Sequence, residues 1–131
     1  MSRENVELVR ECCEAFDRDE YEAALGVLHP EISYELTHFP DGQIYRGHEG
    51  VREAFRIWLG AWEGYRAERE EIIDAGDDVI VATREFGRGK GSGLQLDRLT
   101  FGIWTVRQNK VVRIQFRSTK AEALEAVGLG E

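Results

Sequence analysis

At 131 residues the chain most simply forms one domain, 1–131, and its 42% hydrophobic content is ordinary for a globular protein. No apolar run approaches the roughly 18–20 residues of a membrane span, so no membrane partner is expected. The net charge of −8 is uneven, with nine basic residues against two acidic ones between Arg84 and Lys120, but the acidic remainder and the lack of a basic–aromatic recognition motif argue against nucleic acid.

The charged start, Met1 to Asn5, leads into an amphipathic helix that Ser2 can cap, so no signal peptide is expected. Val6, Val9, Cys13 and Phe16 recur there at helical spacing, flanked by Leu8, Cys12 and Ala15. Cys12 and Cys13 are adjacent and cannot form an ordinary disulfide with each other; they read as helix-face thiols of a cytoplasmic protein. Asp17-Arg18-Asp19 interrupts the pattern, and Tyr21, Ala24, Leu25 and Leu28 mark a short second helix stopped by His29-Pro30. Ile32, Tyr34 and Leu36 then alternate with Ser33, Glu35 and Thr37 as a first strand. Its inward face would continue to His38, before the turn residues Phe39-Pro40-Asp41-Gly42. Gly47 leads into a third helix with an apolar stripe of Val51, Phe55, Trp58 and Trp62.

Two strands are expected at 65–74 and 78–88, joined by Ala75-Gly76-Asp77 and followed by a glycine-alternating hairpin loop from Gly87 to Gly93. Residues 94–106 and 111–116 form a last hairpin around Arg107-Gln108-Asn109-Lys110. Thr119-x-x-Glu122 is a capping-box signal for a short final helix ending at Gly128. Helices followed by antiparallel strands give an α+β pattern, with the helices gathered on one face of a curved sheet. Strand 94–106 is apolar on both sides: Leu94, Leu96, Thr100, Gly102, Trp104 and Val106 share one face, and Leu99, Phe101 and Ile103 the other. Two apolar faces need two covers, so a homodimer through Leu99, Phe101 and Ile103 is expected.

Five stretches carry a family resemblance: Asn5-Val6-Glu7-Leu8-Val9-Arg10, Leu28-His29-Pro30-Glu31, Tyr45-Arg46-Gly47-His48-Glu49-Gly50-Val51-Arg52, Gly89-Lys90-Gly91-Ser92-Gly93 and Ala121-Glu122-Ala123-Leu124-Glu125-Ala126-Val127-Gly128-Leu129. The chain resembles the SnoaL-like branch of the nuclear transport factor 2-like (cystatin-like) superfamily. That resemblance implies a cone: a bent antiparallel sheet wrapped around three N-terminal helices, a short C-terminal helix, one enclosed pocket, and usually a dimer. The superfamily holds ketosteroid isomerases, polyketide cyclases, dehydratases, epoxide hydrolases and members without known activity, so the fold alone does not select a function. Aligned with the isomerases, their tyrosine falls on Cys12, their base on Leu36 and their acid on Gly102. None of these can replace the lost group, so 3-oxosteroid isomerase activity is not expected.

His38 is the leading single candidate, as a general base or a ligand hydrogen bond near neutral pH; the alternative is a loop histidine in water. Tyr34, Trp58, Trp62, Trp104 and Phe116 are expected to line the pocket with it. Arg84, sharing a face with Ile80, Ala82 and Phe86, and Arg98, sharing one with Leu96, Thr100 and Trp104, complete the set. An inward arginine is costly unless paired, so each binds an acidic ligand group or one of the chain's own carboxylates. His29 and His48 read as structural. His48-Glu49 lacks the second ligand of a zinc helix because Arg52 stands there, and the glycine loop lacks a phosphate-loop ending. No metal or cofactor is expected. The function implied is a small-molecule-binding protein, or a small-molecule enzyme, with an apolar pocket; its best-fitting chemistry is proton transfer on a carbonyl or polyketide-like compound with His38 as base. The alternative is a non-catalytic domain working through dimerisation or protein contact.

Overall fold

The structure, a computed structural model, describes residues 2–40 and 42–130. Asp41 of the expected turn and the Ser2 side chain read as a cap lie outside the described residues. Three helices, α1 (Ser2–Asp17), α2 (Tyr21–Val27) and α3 (Gly47–Ala61), accompany six strands. The strands are β1 (Leu28–Glu35), β2 (Ile44–Arg46), β3 (Trp62–Ala75), β4 (Asp78–Gly89), β5 (Gln95–Arg107) and β6 (Lys110–Arg117), and α4 (Lys120–Ala126) closes the chain. They form one open sheet in the order β2-β1-β6-β5-β4-β3. The sheet is mixed rather than wholly antiparallel, because β1 runs parallel to β6.

Curvature follows from the packing. β1 and β2 lie at one edge of the sheet and β3 at the other, yet α3 touches all three. The helix therefore crosses the face of the sheet from one edge to the other, on the side the sheet curves around. Register shifts within β3 between Glu63 and Arg66 and between Arg69 and Glu71 supply local bends, and Gly64 at φ +62 sits within the first. The second helix ends sooner than the sequence suggests, since Leu28 is already extended and β1 follows with no loop. Pro30 is tolerated there because the β1–β6 ladder is irregular between Leu28 and Ser33. Gly47 takes φ +70 between β2 and α3, where a Cβ would stand 3.0 Å from the Pro30 carbonyl. The β5–β6 turn places Gln108 and Asn109 at φ +50 and +64, the two-residue geometry that matches strand twist.

Two cores result. On the helix side, Val9, Cys12, Leu25, Leu28, Ile32, Val79, Val81, Trp104, Val111 and Ile114 are buried together. On the convex side, Ile80, Ala82, Phe101 and Ile103 pack beneath Ala123, with Leu124 and Val127 beside them. The Thr119 hydroxyl accepts from the Glu122 N–H at 3.1 Å and the Glu122 carboxylate accepts from the Ser118 N–H at 3.2 Å, fixing the start of α4. The patch expected to face a second copy is therefore covered by α4: Phe101 and Ile103 are 6% and 1% exposed, and Leu99 is half-buried at the border. The apolar patch that motivated a homodimer through these three residues is thus largely covered within the chain itself. No helix among the described residues is long and apolar enough to cross a membrane.

Candidate functional site

The register of the central strands builds a graded concave face. Val79, Val81, Thr83 and Glu85 on β4 stand opposite Trp104, Gly102, Thr100 and Arg98 on β5. Phe116 and Ile114 on β6 continue the face beside Gly102 and Trp104, and Arg69 on β3 lies beside Thr83. Runs of Val and Trp thus fill one end, and the polar pair Glu85–Arg98 occupies the other.

That pair is the chemical centre of the face. Arg98 Nε donates to Glu85 Oε1 at 2.7 Å, and the Tyr65 hydroxyl donates to Glu85 Oε2 at 2.5 Å. Both carboxylate oxygens are engaged, and the Glu85 side chain is only 10% exposed. The guanidinium carbon of Arg98 lies 4.6 Å from the centre of the Phe39 ring and 4.7 Å from that of Trp58, with the side chain 35% exposed. Cation–π contact on two rings and a buried counter-charge hold this arginine in place. Around it stand half-buried aromatics: Trp58 packs on Trp62 and Tyr65, and Tyr34 on Phe55 and Phe116.

Two buried indole N–H groups, those of Trp58 and Trp62, have no acceptor in ordinary geometry among the described residues, although Trp58 lies close enough to the Tyr65 oxygen to oppose the rise in that phenol's pKa. Burial above all, then the Glu85 carboxylate, pushes the Tyr65 phenol well above its ordinary range. The same two causes, in the same order, push up Tyr34, with Arg69 and Arg98 opposing. Both phenols stay protonated near neutral pH.

Of the expected site residues, Tyr34, Trp58, Trp62, Arg98 and Phe116 share the concave face. His38 does not. β1 ends at Glu35, the chain turns, and the exposed imidazole pairs through Nε2 with Ser118 Oγ at 2.7 Å. Phe39 takes the inward place instead. Arg84 lies on the convex side, bonded to Glu70 and Asp97, each at 3.0 Å. Trp104 is core, 6% exposed, and its indole edge with Phe116 occupies the space that Gly102 leaves. His48 Nε2 donates to the Leu28 carbonyl at 2.9 Å, and His29 Nδ1 accepts from the Glu31 N–H at 2.9 Å, both structural. Glu85, Tyr65 and Phe39 escaped the sequence reading. Alternation along β4 does not single out Glu85, because the even positions Ile80 and Ala82 are as apolar as the odd positions Val79 and Val81.

A cleft of about 300 Å³ lies elsewhere, between α1 and β3, with Arg10, Cys13, Glu14, Arg69 and Glu71 among its walls. Its Arg69 is tied to Asp17 at 2.8 Å and to Thr83 Oγ1 at 3.1 Å, and the Cys13 thiol is buried and pushed up to about 11. Nothing reactive faces it, so the concave face remains the stronger site.

A family model for the SnoaL-like domain matches residues 9–114. An NTF2-like protein from Burkholderia thailandensis E264 is 26% identical with a TM-score of 0.78, the match covering 91% of this chain and 95% of that one. TerC, whose crystals were grown with polyporic acid, is 21% identical with a TM-score of 0.75 over 95% and 98%. A Sinorhizobium meliloti protein provisionally named a polyketide cyclase is 19% identical with a TM-score of 0.70 over 85% and 94%. No curated protein matches the chain.

Proposed function

The chain belongs to the SnoaL-like family, and on that premise we propose that it binds a small, mostly apolar ring compound against the concave face. The observation that carries this reading is the half-buried aromatic wall of Tyr34, Phe39, Trp58, Trp62 and Phe116 around the ion pair Arg98–Glu85. Small-molecule sites combine apolar and aromatic walls with a few fixed polar groups. The crystallisation of the fold relative TerC with polyporic acid supports the same class of ligand. Binding is favoured over proton abstraction by the site's own chemistry. Glu85 has both oxygens engaged, and the phenols of Tyr34 and Tyr65 hold their protons, so among the described residues no free base faces the aromatic wall.

The test uses the indole N–H signals of the three tryptophans in a nitrogen-15-labelled protein, titrated with 2-naphthol as an uncharged ring probe. Saturable shifts at Trp58 and Trp62, larger than at Trp104, are expected. Unmoved Trp58 and Trp62 signals at millimolar probe would overturn the concave-face reading.

A further inference from the structure

Resting on that reading, we propose that Arg98 is an end-on fork that selects ligands bearing a planar pair of oxygens: a carboxylate, or two adjacent oxygens sharing one negative charge. Its Nε is bound to Glu85, but among the described residues its two Nη groups have no hydrogen-bond partner. Those groups stand at the end of a guanidinium whose carbon lies over the Phe39 and Trp58 rings. Contact with both rings and the Nε bond to Glu85 hold the guanidinium in place. What remains free is the far edge, where two parallel N–H donors match the spacing of two oxygens on one carbon.

The unpartnered groups nearby point the same way. The Tyr34 hydroxyl makes no hydrogen bond among the described residues, and Arg98 and Arg69 both act on it electrostatically. The concave face therefore offers the two Arg98 Nη groups and the Tyr34 hydroxyl to a ligand, while its Glu85 carboxylate is already bonded on both oxygens. An acceptor-rich headgroup on an aromatic body satisfies both halves of the site. Glu85 acts through Arg98 and is a positioning residue.

Two probes of one shape separate this inference from the reading beneath it: 2-naphthoate and its uncharged isostere 2-naphthamide. Burying a carboxylate is costlier than burying an amide, so a hollow without a directed cation favours the amide. The fork predicts the reverse, with 2-naphthoate bound roughly tenfold more tightly, as hydrogen bonds between charged groups provide. Equal binding of the two, with shifts at Trp58, overturns the fork and leaves the concave site standing. Binding of neither overturns both. Arg98→Met should abolish the preference, and Arg98→Lys should lower it by removing the paired donors while keeping the charge. A wild-type preference in Arg98→Lys would show that charge alone selects and would overturn the fork. Positioning by Glu85 is read by comparing Glu85→Gln with Glu85→Ala. Both remove the negative charge, but only Gln keeps an acceptor for Nε, so the carboxylate preference should be higher in Gln. Equal preferences in the two variants would remove the positioning role.

Discussion

Arg84 and Arg98 stand on the same sheet, equally exposed and each beside carboxylates, and they differ in the burial of those carboxylates and in the rings around them. Arg84 lies on the convex side with Glu70 and Asp97, whose side chains are 43% and 54% exposed. Arg98 lies on the concave side against a carboxylate that is 10% exposed, in contact with two aromatic rings. Water screens the first pair and competes for every hydrogen bond in it. In the second pair water reaches the arginine but scarcely the Glu85 carboxylate, which two hydrogen bonds hold. The same contrast runs through the two faces. The convex apolar patch is sealed by α4, while the concave aromatics remain half-exposed. One face is finished by the chain itself, and the other is left with unanswered donors.

The largest expected effect tests whether α4 truly finishes the convex face. Phe101 packs with Ile80, Ala82, Ile103 and Ala123, so Phe101→Ala should lower unfolding stability by about 3–5 kcal/mol, as a large-to-small core change does. Urea unfolding reads this directly. A loss below about 1 kcal/mol would mean that α4 covers the patch loosely and that the face is free for a partner.

Most of the fold was legible because local pattern and tertiary role agree. Val51, Phe55 and Trp58 pack from α3 as the stripe predicts, although Trp62 at its end opens β3 instead, and Gln108-Asn109 forms the hairpin turn its residue types favour. The parallel β1–β6 pairing was not legible, since nothing local states which distant strand a β1 edge will meet. In the site, Tyr34, Trp58, Trp62, Arg98 and Phe116 could be read from alternation and helical spacing. Glu85 could not. Ile80 and Ala82 face α4 while Val79 and Val81 face the helices, so both parities of β4 look equally apolar. Only its pairing with β5 decides that Glu85 rather than Arg84 points inward. His38 failed for a related reason: alternation extrapolated past Glu35, where the chain leaves the sheet and the Phe39 N–H bonds back to the Leu36 carbonyl at 3.0 Å.

A second prediction concerns the closed end of the concave side, where α1 seals the sheet. Burial, ahead of its neighbouring charges, pushes the Cys13 thiol from its ordinary 9.0 up to about 11, and burial pushes Cys12 up as well. A thiol whose folded pKa is raised adds stability that is complete below about 9 and is lost as pH climbs toward 11. Each thiol contributes a slope on the order of 1.4 kcal/mol per pH unit within that window. The urea midpoint should therefore fall between pH 7.5 and pH 10, and Cys13→Ala should fall by less. Identical falls in the two proteins would show that the closed end admits water and is no better sealed than the mouth.

The smallest effect is the most direct measure of the difference between the faces. Methionine keeps the long apolar stem of arginine and removes its charge and donors. Arg84→Met should leave the unfolding midpoint where it is at physiological ionic strength, because Glu70 and Asp97 turn to water without penalty. Arg98→Met leaves the mostly buried Glu85 with only the Tyr65 hydroxyl, and removes the cation from contact with Phe39 and Trp58. A loss of about 1–2 kcal/mol is expected, kept below the full value of a buried pair because a third of Arg98 is in water. Raising the salt to 1 M should change this loss little, since mobile ions do not reach the Glu85 carboxylate. Equal shifts in the two variants, or a loss at Arg98 that vanishes in salt, would make the concave pair an ordinary surface contact and remove its rigid fork as a ligand-selecting device.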